Sequence, residues 1–299
     1  MEAPKNRLAS GACISPQIKK CGLILTLCPD STSINPMRPV RHWLPSPFLR
    51  YSAAFQVIGG SAALLAPEGS TLLIEALAAN HALVFGASFW PTSPLLGPNL
   101  TRLPAERVER NEIALTFDDG PDIETTPRVL DLLDRYRVKA SFFCIAARAE
   151  RHPELVREIV LRGHRIENHT YRHAHTFALS GLHGFTKEIG RAQAVLTALT
   201  GVSPRYFRAP VGMRNPWLQP VLSSLDLTLV SWTRRGYDAV FGDPEKIVRR
   251  LSKNLRGGDI LLLHDGSSAR DRNGRPAVLE ALPKLLDEVA RRSLIPVPL

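Results

Sequence analysis

The chain has 299 residues, of which 44% are hydrophobic and 22% charged, and a net charge of +10. That composition supplies a large apolar core and excludes a disordered chain, a collagen-like repeat and a disulfide-dense miniprotein. The basic balance invites a nucleic-acid or an anionic-membrane partner, and the choice depends on where the charge sits.

Residues 1–36 mix Pro, Ser, Lys and Cys without a hydrophobic period and lack a convincing signal-peptide layout. Met37 opens a basic segment and reads as a candidate start of translation. Cys13, Cys21 and Cys28 lie in this tail, Cys144 lies in an apolar run, and no two cysteines have metal or redox spacing. Two apolar stretches follow, from about Ala53 to Pro67 and from about Leu72 to Trp90. Each approaches the roughly 20 residues that cross a bilayer. Glu75, Asn80 and His81 interrupt the second, and Trp43, Tyr51, Phe89 and Trp90 flank the pair as interfacial aromatics do. The reading is a helical, membrane-associated segment of bacterial type, with its face left open. One crossing puts the rest of the chain outside; two return it to the side of Arg38, Arg41 and Arg50, the cytoplasm. Residues 91–104 are rich in Pro, Ser and Gly and read as a linker. They divide a tail and apolar hairpin (1–104) from a second domain (105–299).

Beyond the linker the hydrophobic period alternates. Strands are expected at 111–117, 139–145, 164–168, 205–209, 228–232 and 258–264, with a further one at 293–297. Helices are expected at 125–136, 153–162, 186–199, 215–225, 243–255 and 275–292. Strict alternation implies a parallel sheet with helices outside, as a barrel or an open doubly wound sheet. Neither GxGxxG nor GxxxxGK[ST] occurs to support a nucleotide site.

The polar residues fall at the strand ends, where parallel barrels keep their chemistry. Asp118 and Asp119 end the first strand, His169 and His173 follow the third, Arg208 and Pro210 end the fourth, Trp232 the fifth with Asp238 beyond it, and His264 the sixth. His169 and His173 have the i, i+4 spacing that puts two imidazoles on one side of a helical turn. With a carboxylate from Asp118 or Asp119 they make a two-histidine, one-carboxylate shell of catalytic type. The second aspartate is then free to act as a base. His152, His164 and His183 read as surface residues, and Asp259 and Asp265 as caps or turns.

TFDDGP at 116–121, HTYRH at 169–173, RAP at 208–210 and LLHDG at 262–266 resemble, in order, the motifs of NodB-homology polysaccharide deacetylases, the family four carbohydrate esterases. The resemblance covers roughly 111–292. It implies a distorted (β/α) barrel of about seven parallel strands and hydrolysis of an N-acetyl group on an amino sugar. It also implies a divalent metal, zinc first, with cobalt, nickel or manganese as alternatives. By position it makes Asp118 the base, Asp119, His169 and His173 the metal ligands, and Arg208 the residue that orients the base. His264 becomes the acid, Leu262 or Leu263 the apolar wall, and Asp238 a partner of Arg208. Val211 stands where the family usually has an aromatic, so its N–H is retained as an oxyanion donor without a ring for sugar stacking. Trp232 is a candidate pocket aromatic. The implied partner is an N-acylated glycan or a lipid-linked amino sugar, with a membrane surface beside it. The rival reading is a non-catalytic glycan- or membrane-binding module on the same fold. Nucleic acid is disfavoured, because Arg249, Arg250, Lys253 and Arg256 do not interleave with aromatics.

Overall fold

The structure, a computed structural model, describes residues 43–299, which lie in one compact unit. The expectations for the tail, its three cysteines and Met37 lie outside the described residues.

Eight strands make one sheet: β1 (Glu112–Asp118), β2 (Ser141–Cys144), β3 (Arg165–Asn168), β4 (Tyr206–Phe207), β5 (Thr228–Leu229), β6 (Arg234–Arg235), β7 (Ile260–His264) and β8 (Ile295–Val297). Their order is β5-β4-β3-β2-β1-β7-β6, with β8 beside the start of β1, and all pairs are parallel. This is the expected distorted barrel. The helices are α1 (Pro47–Leu65), α2 (Thr71–Ser88), α3 (Ala105–Glu109), α4 (Thr125–Arg135), α5 (Ala146–Arg151), α6 (Pro153–Leu161), α7 (Leu182–Thr200), α8 (Leu218–Ser224), α9 (Pro244–Ser252) and α10 (Val278–Arg291). Local chemistry sets their ends. Asp243 caps α9 by accepting the Glu245 and Lys246 N–H groups at 3.1 and 3.2 Å, with Pro244 at its first position. α7 stops at Gly201, whose φ of 70° suits a residue without Cβ.

Alternation along β1 sorts its side chains between two compartments. Ile113, Leu115 and Phe117 join Val129, Leu133, Leu282 and Leu285 in the core beneath α4 and α10. Ala114 faces the barrel interior with Phe143, Val230 and Ile260. Thr116 and Asp118 continue that inner face towards the carboxyl rim. Cys144 is a buried free thiol in the outer core, as its apolar run suggests.

β5 and β6 are not paired to each other, so the sheet has a seam. Residues 99–103 fill it. The Leu100 N–H donates to the Leu229 carbonyl and the Ser231 N–H to that of Leu100, at 2.9 and 3.0 Å. Thr233 Oγ1 donates to the Thr101 carbonyl and Arg102 Nη1 to Asp259 Oδ1. Leu96 and Leu103 are buried. The segment that reads as a linker is therefore part of the barrel wall. Its Pro and Gly residues shape an irregular packed path rather than a free tether.

α1 and α2 pack on each other as a hairpin. Inside it, Gln56 Nε2 donates to the Leu77 carbonyl at 2.8 Å and to Asn80 Oδ1 at 3.1 Å, and Asn80 Nδ2 donates to Ser52 Oγ at 3.2 Å. Gly59 lets the helices close, since a Cβ there would sit 3.0 Å from Leu77. The outer surface carries Phe55, Val57, Ile58, Leu64, Leu83 and Phe85, all exposed. α2 is long and apolar enough to cross a membrane.

Candidate active site

The carboxyl ends of β1, β3, β4 and β7 meet at one rim. β1 ends in two aspartates that a regular strand would turn to opposite faces. Asp118 keeps the inward direction. Asp119, at φ 71°, is rotated by a left-handed backbone step that costs a non-glycine residue energy. Gly120 follows because Asp265 lies against it: a Cβ there would sit 2.1 Å from Asp265 Oδ2.

Asp119 Oδ1 lies 3.4 Å from His169 Nε2 and 3.3 Å from His173 Nε2. One ligand atom from each of the three residues falls within 4.8 Å of the others. Asp119 Oδ1 is buried with no hydrogen-bond partner, a costly state unless a cation completes it. The His169 Nδ1 faces the Arg208 carbonyl at 2.8 Å, which fixes that ring's tautomer and leaves Nε2 as a lone-pair donor. Burial pushes His173 down to about 4, so its ring is neutral at pH 7. Burial opposes the charge on Asp119, but His169 and His173 outweigh it and hold its carboxyl below the usual range. This donor set fits a divalent metal.

The two histidines do not share a helical turn. Residues 169–173 form a loop in which Thr170 and His173 take φ values of 68° and 55°. Thr170 Oγ1 accepts the His173 N–H at 2.9 Å and closes that loop. The i, i+4 spacing brings the rings within 4.8 Å by a turn of strained backbone rather than by helical pitch.

Flanking the triad are two ion pairs. Arg208, 1% exposed, donates from Nη1 to Asp118 Oδ1 at 2.6 Å and to Thr116 Oγ1 at 2.9 Å, and from Nη2 to the Ser231 carbonyl at 3.0 Å. Its guanidinium lies 4.1 Å from the centre of the Phe143 ring. On the other side His264 Nδ1 lies 2.8 Å from Asp238 Oδ1, and the His264 N–H donates to Asp238 Oδ2 at 2.7 Å. Asp238 therefore serves His264. The expected pairing with Arg208 is taken by Asp118, because β1 and β4 bring those two residues together inside the barrel. Burial opposes the imidazolium of His264, but Asp238, helped by Asp118 and Asp119, raises its pKa to about 9.

Leu262 pairs in register with Thr116 and shares its inward face. Leu263 lies on the opposite face in the outer core, which removes it from the site. Val211 is 45% exposed at φ 54° on a single turn after Pro210, a strained conformation for a β-branched residue. Trp232 is nearly buried beside it, over Gly212.

Sequence reasoning missed three buried acids and one histidine. Glu167 Oε2 accepts the Arg205 and Tyr206 N–H groups, each at 2.8 Å, and ties β3 to β4. Burial lifts its pKa to about 7 despite those bonds. Asp265 supports the aspartate turn by accepting Thr126 Oγ1 at 2.6 Å, and burial lifts it too to about 7. Asp259 is buried between Arg102 and Arg234. His164, expected on the surface, is 4% exposed. Its Nδ1 accepts the Ala140 N–H at 3.2 Å under the edge of Phe142.

The family profile described as polysaccharide deacetylase matches residues 105–230. A peptidoglycan-N-acetylglucosamine deacetylase of Bacillus cereus is 35% identical over 199 residues, covering 62% of this chain and 85% of that protein. The chain belongs to the polysaccharide deacetylase family. It is a hydrolase of carbon–nitrogen bonds other than peptide bonds. A second polysaccharide deacetylase, the chitooligosaccharide deacetylase of Bradyrhizobium, is 34% identical and covers 60% of this chain and 85% of its own. Among solved structures, a family 4 carbohydrate esterase from Streptomyces lividans in complex with acetate superposes with a TM-score of 0.56. It is 31% identical and covers 62% of this chain and 91% of that one. A family pseudoenzyme from Bacillus anthracis, 19% identical, covers 69% and 67% with a TM-score of 0.59 and shares the fold alone.

Proposed function

We propose that this polysaccharide deacetylase removes an N-acyl group, most simply acetyl, from an amino sugar in a glycan or glycolipid. Asp119, His169 and His173 would hold a divalent metal, with zinc the first choice for a carboxylate and two imidazoles. When bound, that metal supplies Lewis-acid polarisation of the acyl oxygen and a lowered pKa for water. Asp118, oriented by Arg208, takes the proton from the attacking water. The water oxygen bonds to the acyl carbon, and the Val211 N–H donates to the oxyanion. The carbon–nitrogen bond then breaks. His264, kept protonated by Asp238, delivers a proton to the departing amine. The products are a free amino sugar and a carboxylate. Leu262 walls the acyl methyl, and Trp232 lines the pocket. We assign catalysis to 105–299 and attachment to the hairpin, whose apolar exterior fits a membrane.

The observation that carries this reading is the arrangement of two proton-handling pairs, Asp118 with Arg208 and His264 with Asp238, on either side of the metal triad. The test is release of acetate or formate from N-acyl amino sugars by the metal-supplemented protein. Absence of acyl release from polymeric, oligomeric and lipid-linked sugars alike, with the metal restored, would return the chain to the binding-module reading.

A further inference from the structure

The hairpin inverts the pattern of a water-soluble helix pair. Ser52, Gln56 and Asn80 satisfy one another between the helices, while the outer surface is aliphatic and aromatic. Polar side chains that pair inward while apolar ones face out suit hydrocarbon as the surrounding phase. Helices of 19 and 18 residues reach about 27 Å, close to the hydrocarbon thickness of a bilayer. Glu75 lies in the second turn of α2, near the connection, where a carboxylate reaches the far headgroups. His81 is the polar group nearest the middle of the outer surface of α2.

Both ends of this hairpin return to the barrel. Ser46 Oγ donates to the Leu95 carbonyl, and the Arg214 N–H donates to that of Ser88 at 3.2 Å. The two helices therefore enter and leave on one side. Arginines mark that side: Arg50 in the first turn of α1, and Arg102, Arg107 and Arg110 after the hairpin, while Arg38 and Arg41 precede it in the sequence. The connection, Ala66–Ser70, has Glu68 and no basic residue. The positive-inside rule puts the arginine side in the cytoplasm.

The hairpin's exit also touches the active-site rim. Pro91 and Trp232 enclose Gly212: a Cβ there would sit 2.7 Å from Pro91 and 2.6 Å from Trp232. Pro91 accepts Ser231 Oγ at 2.6 Å. Exposed Phe89, Trp90, Val211 and Trp217 lie on this part of the chain. The same rim holds a cation without a counter-charge. Arg235 pairs in register with Leu262, so it shares the inward face. Its guanidinium lies 5.1 Å from the Trp232 ring centre and 4.8 Å from that of Tyr237. Its Nε is buried with no partner, and among the described residues it makes no ion pair.

We propose that the active site opens on the cytoplasmic surface of the membrane and takes an N-acyl amino sugar carried there on a lipid phosphate, with Arg235 receiving the phosphate. This rests on the deacylase reading above. It places the reaction after a transferase that loads the amino sugar onto its lipid carrier and before export of the product. The test compares three substrates with the full chain and restored metal: a polyprenyl-phosphate-linked N-acetyl amino sugar in vesicles, the same sugar 1-phosphate without lipid, and a neutral N-acetyl oligosaccharide. The expected kcat/KM is at least tenfold higher for the lipid-linked sugar than for either soluble one. Arg235→Ala should lower it at least tenfold there and by a clearly smaller factor on the neutral oligosaccharide. Leu83→Glu with Phe85→Glu should release the protein from vesicles and remove the lipid preference while retaining soluble turnover. Equal rates on lipid-linked and neutral substrates overturn the proposal and leave the deacylase reading intact, and equal rates on the two phosphates reassign Arg235 to a free sugar phosphate. No release from any substrate overturns both. Sidedness is read by Glu68→Cys and Arg110→Cys with an impermeant maleimide, over the parent background. Labelling of position 68 in intact cells, and of position 110 only after permeabilisation, is expected; the reverse overturns the cytoplasmic assignment.

Discussion

Where the barrel sends Phe117, Phe142 and Leu285 inward beneath its helices, the hairpin turns Ile58, Leu83 and Phe85 outward and closes its helices around Ser52, Gln56 and Asn80. The barrel also takes ionised groups inside: Arg208 pairs with Asp118, His264 with Asp238, and Asp259 lies between two arginines. The hairpin takes none inside. One region is thus organised against water, spending its core on shape and its polar interior on chemistry. The other carries its apolar side chains on the outside, the pattern that fits the proposed membrane, and its polar interior only holds two helices in register. The same residue type has opposite value in the two regions, and substitutions measure that difference.

The largest effect is expected at the triad. Asp119→Ala or His169→Ala should lose bound metal and cut acyl release by about 1,000-fold or more, read by metal analysis alongside turnover. Next comes the barrel core. Phe185 is fully buried against Phe177 and Phe207, and Phe185→Ala should cost about 3–5 kcal/mol in denaturant unfolding. Asp238→Asn should slow turnover about 100-fold. It should also move the alkaline limb of the pH–rate profile to lower pH, because His264, raised to about 9, then loses its proton sooner. His164 gives a smaller, signed effect. Burial depresses its pKa to about 4 from an ordinary 6.5. Its contribution is present above pH 6.5 and is lost as pH falls towards 4, a loss on the order of 3 kcal/mol. A pH series of melting temperatures checks this, and His164→Asn should flatten the acid side. Smallest is Leu83→Ala on the hairpin exterior, which should leave stability in detergent within about 0.5 kcal/mol. A core-sized loss there would mean that Leu83 packs against protein, and the contrast between the regions would fail.

Much of the barrel is legible because long strands announce themselves. The apolar run 111–117 ending in two aspartates, and 258–264 ending in a histidine, are buried strands with polar tips, and they pair directly in the fold. What escapes the sequence is what only tertiary pairing creates. β6 is two residues long and exists because it lies beside β7. The partner of Asp238 is set by where the 236–238 turn meets the end of β7, not by a motif. His164 resembles a surface residue after Gly163 but is carried under Phe142 by the start of β3. The proline-rich path from 91 to 103 has a linker's composition, and only the unpaired edges of β5 and β6 give it a structural task.

That seam has a practical consequence. A chain trimmed to begin at residue 105, where composition changes, would lose the backbone bonds of Leu100, the Arg102 side of Asp259, and the Pro91 support under Ser231 and Trp232. The soluble fragment that the sequence suggests would be a barrel with one stave missing. Hairpin and barrel are joined at the wall of the candidate site, so the proposed membrane attachment is removed by new outer side chains on the hairpin rather than by a cut behind it.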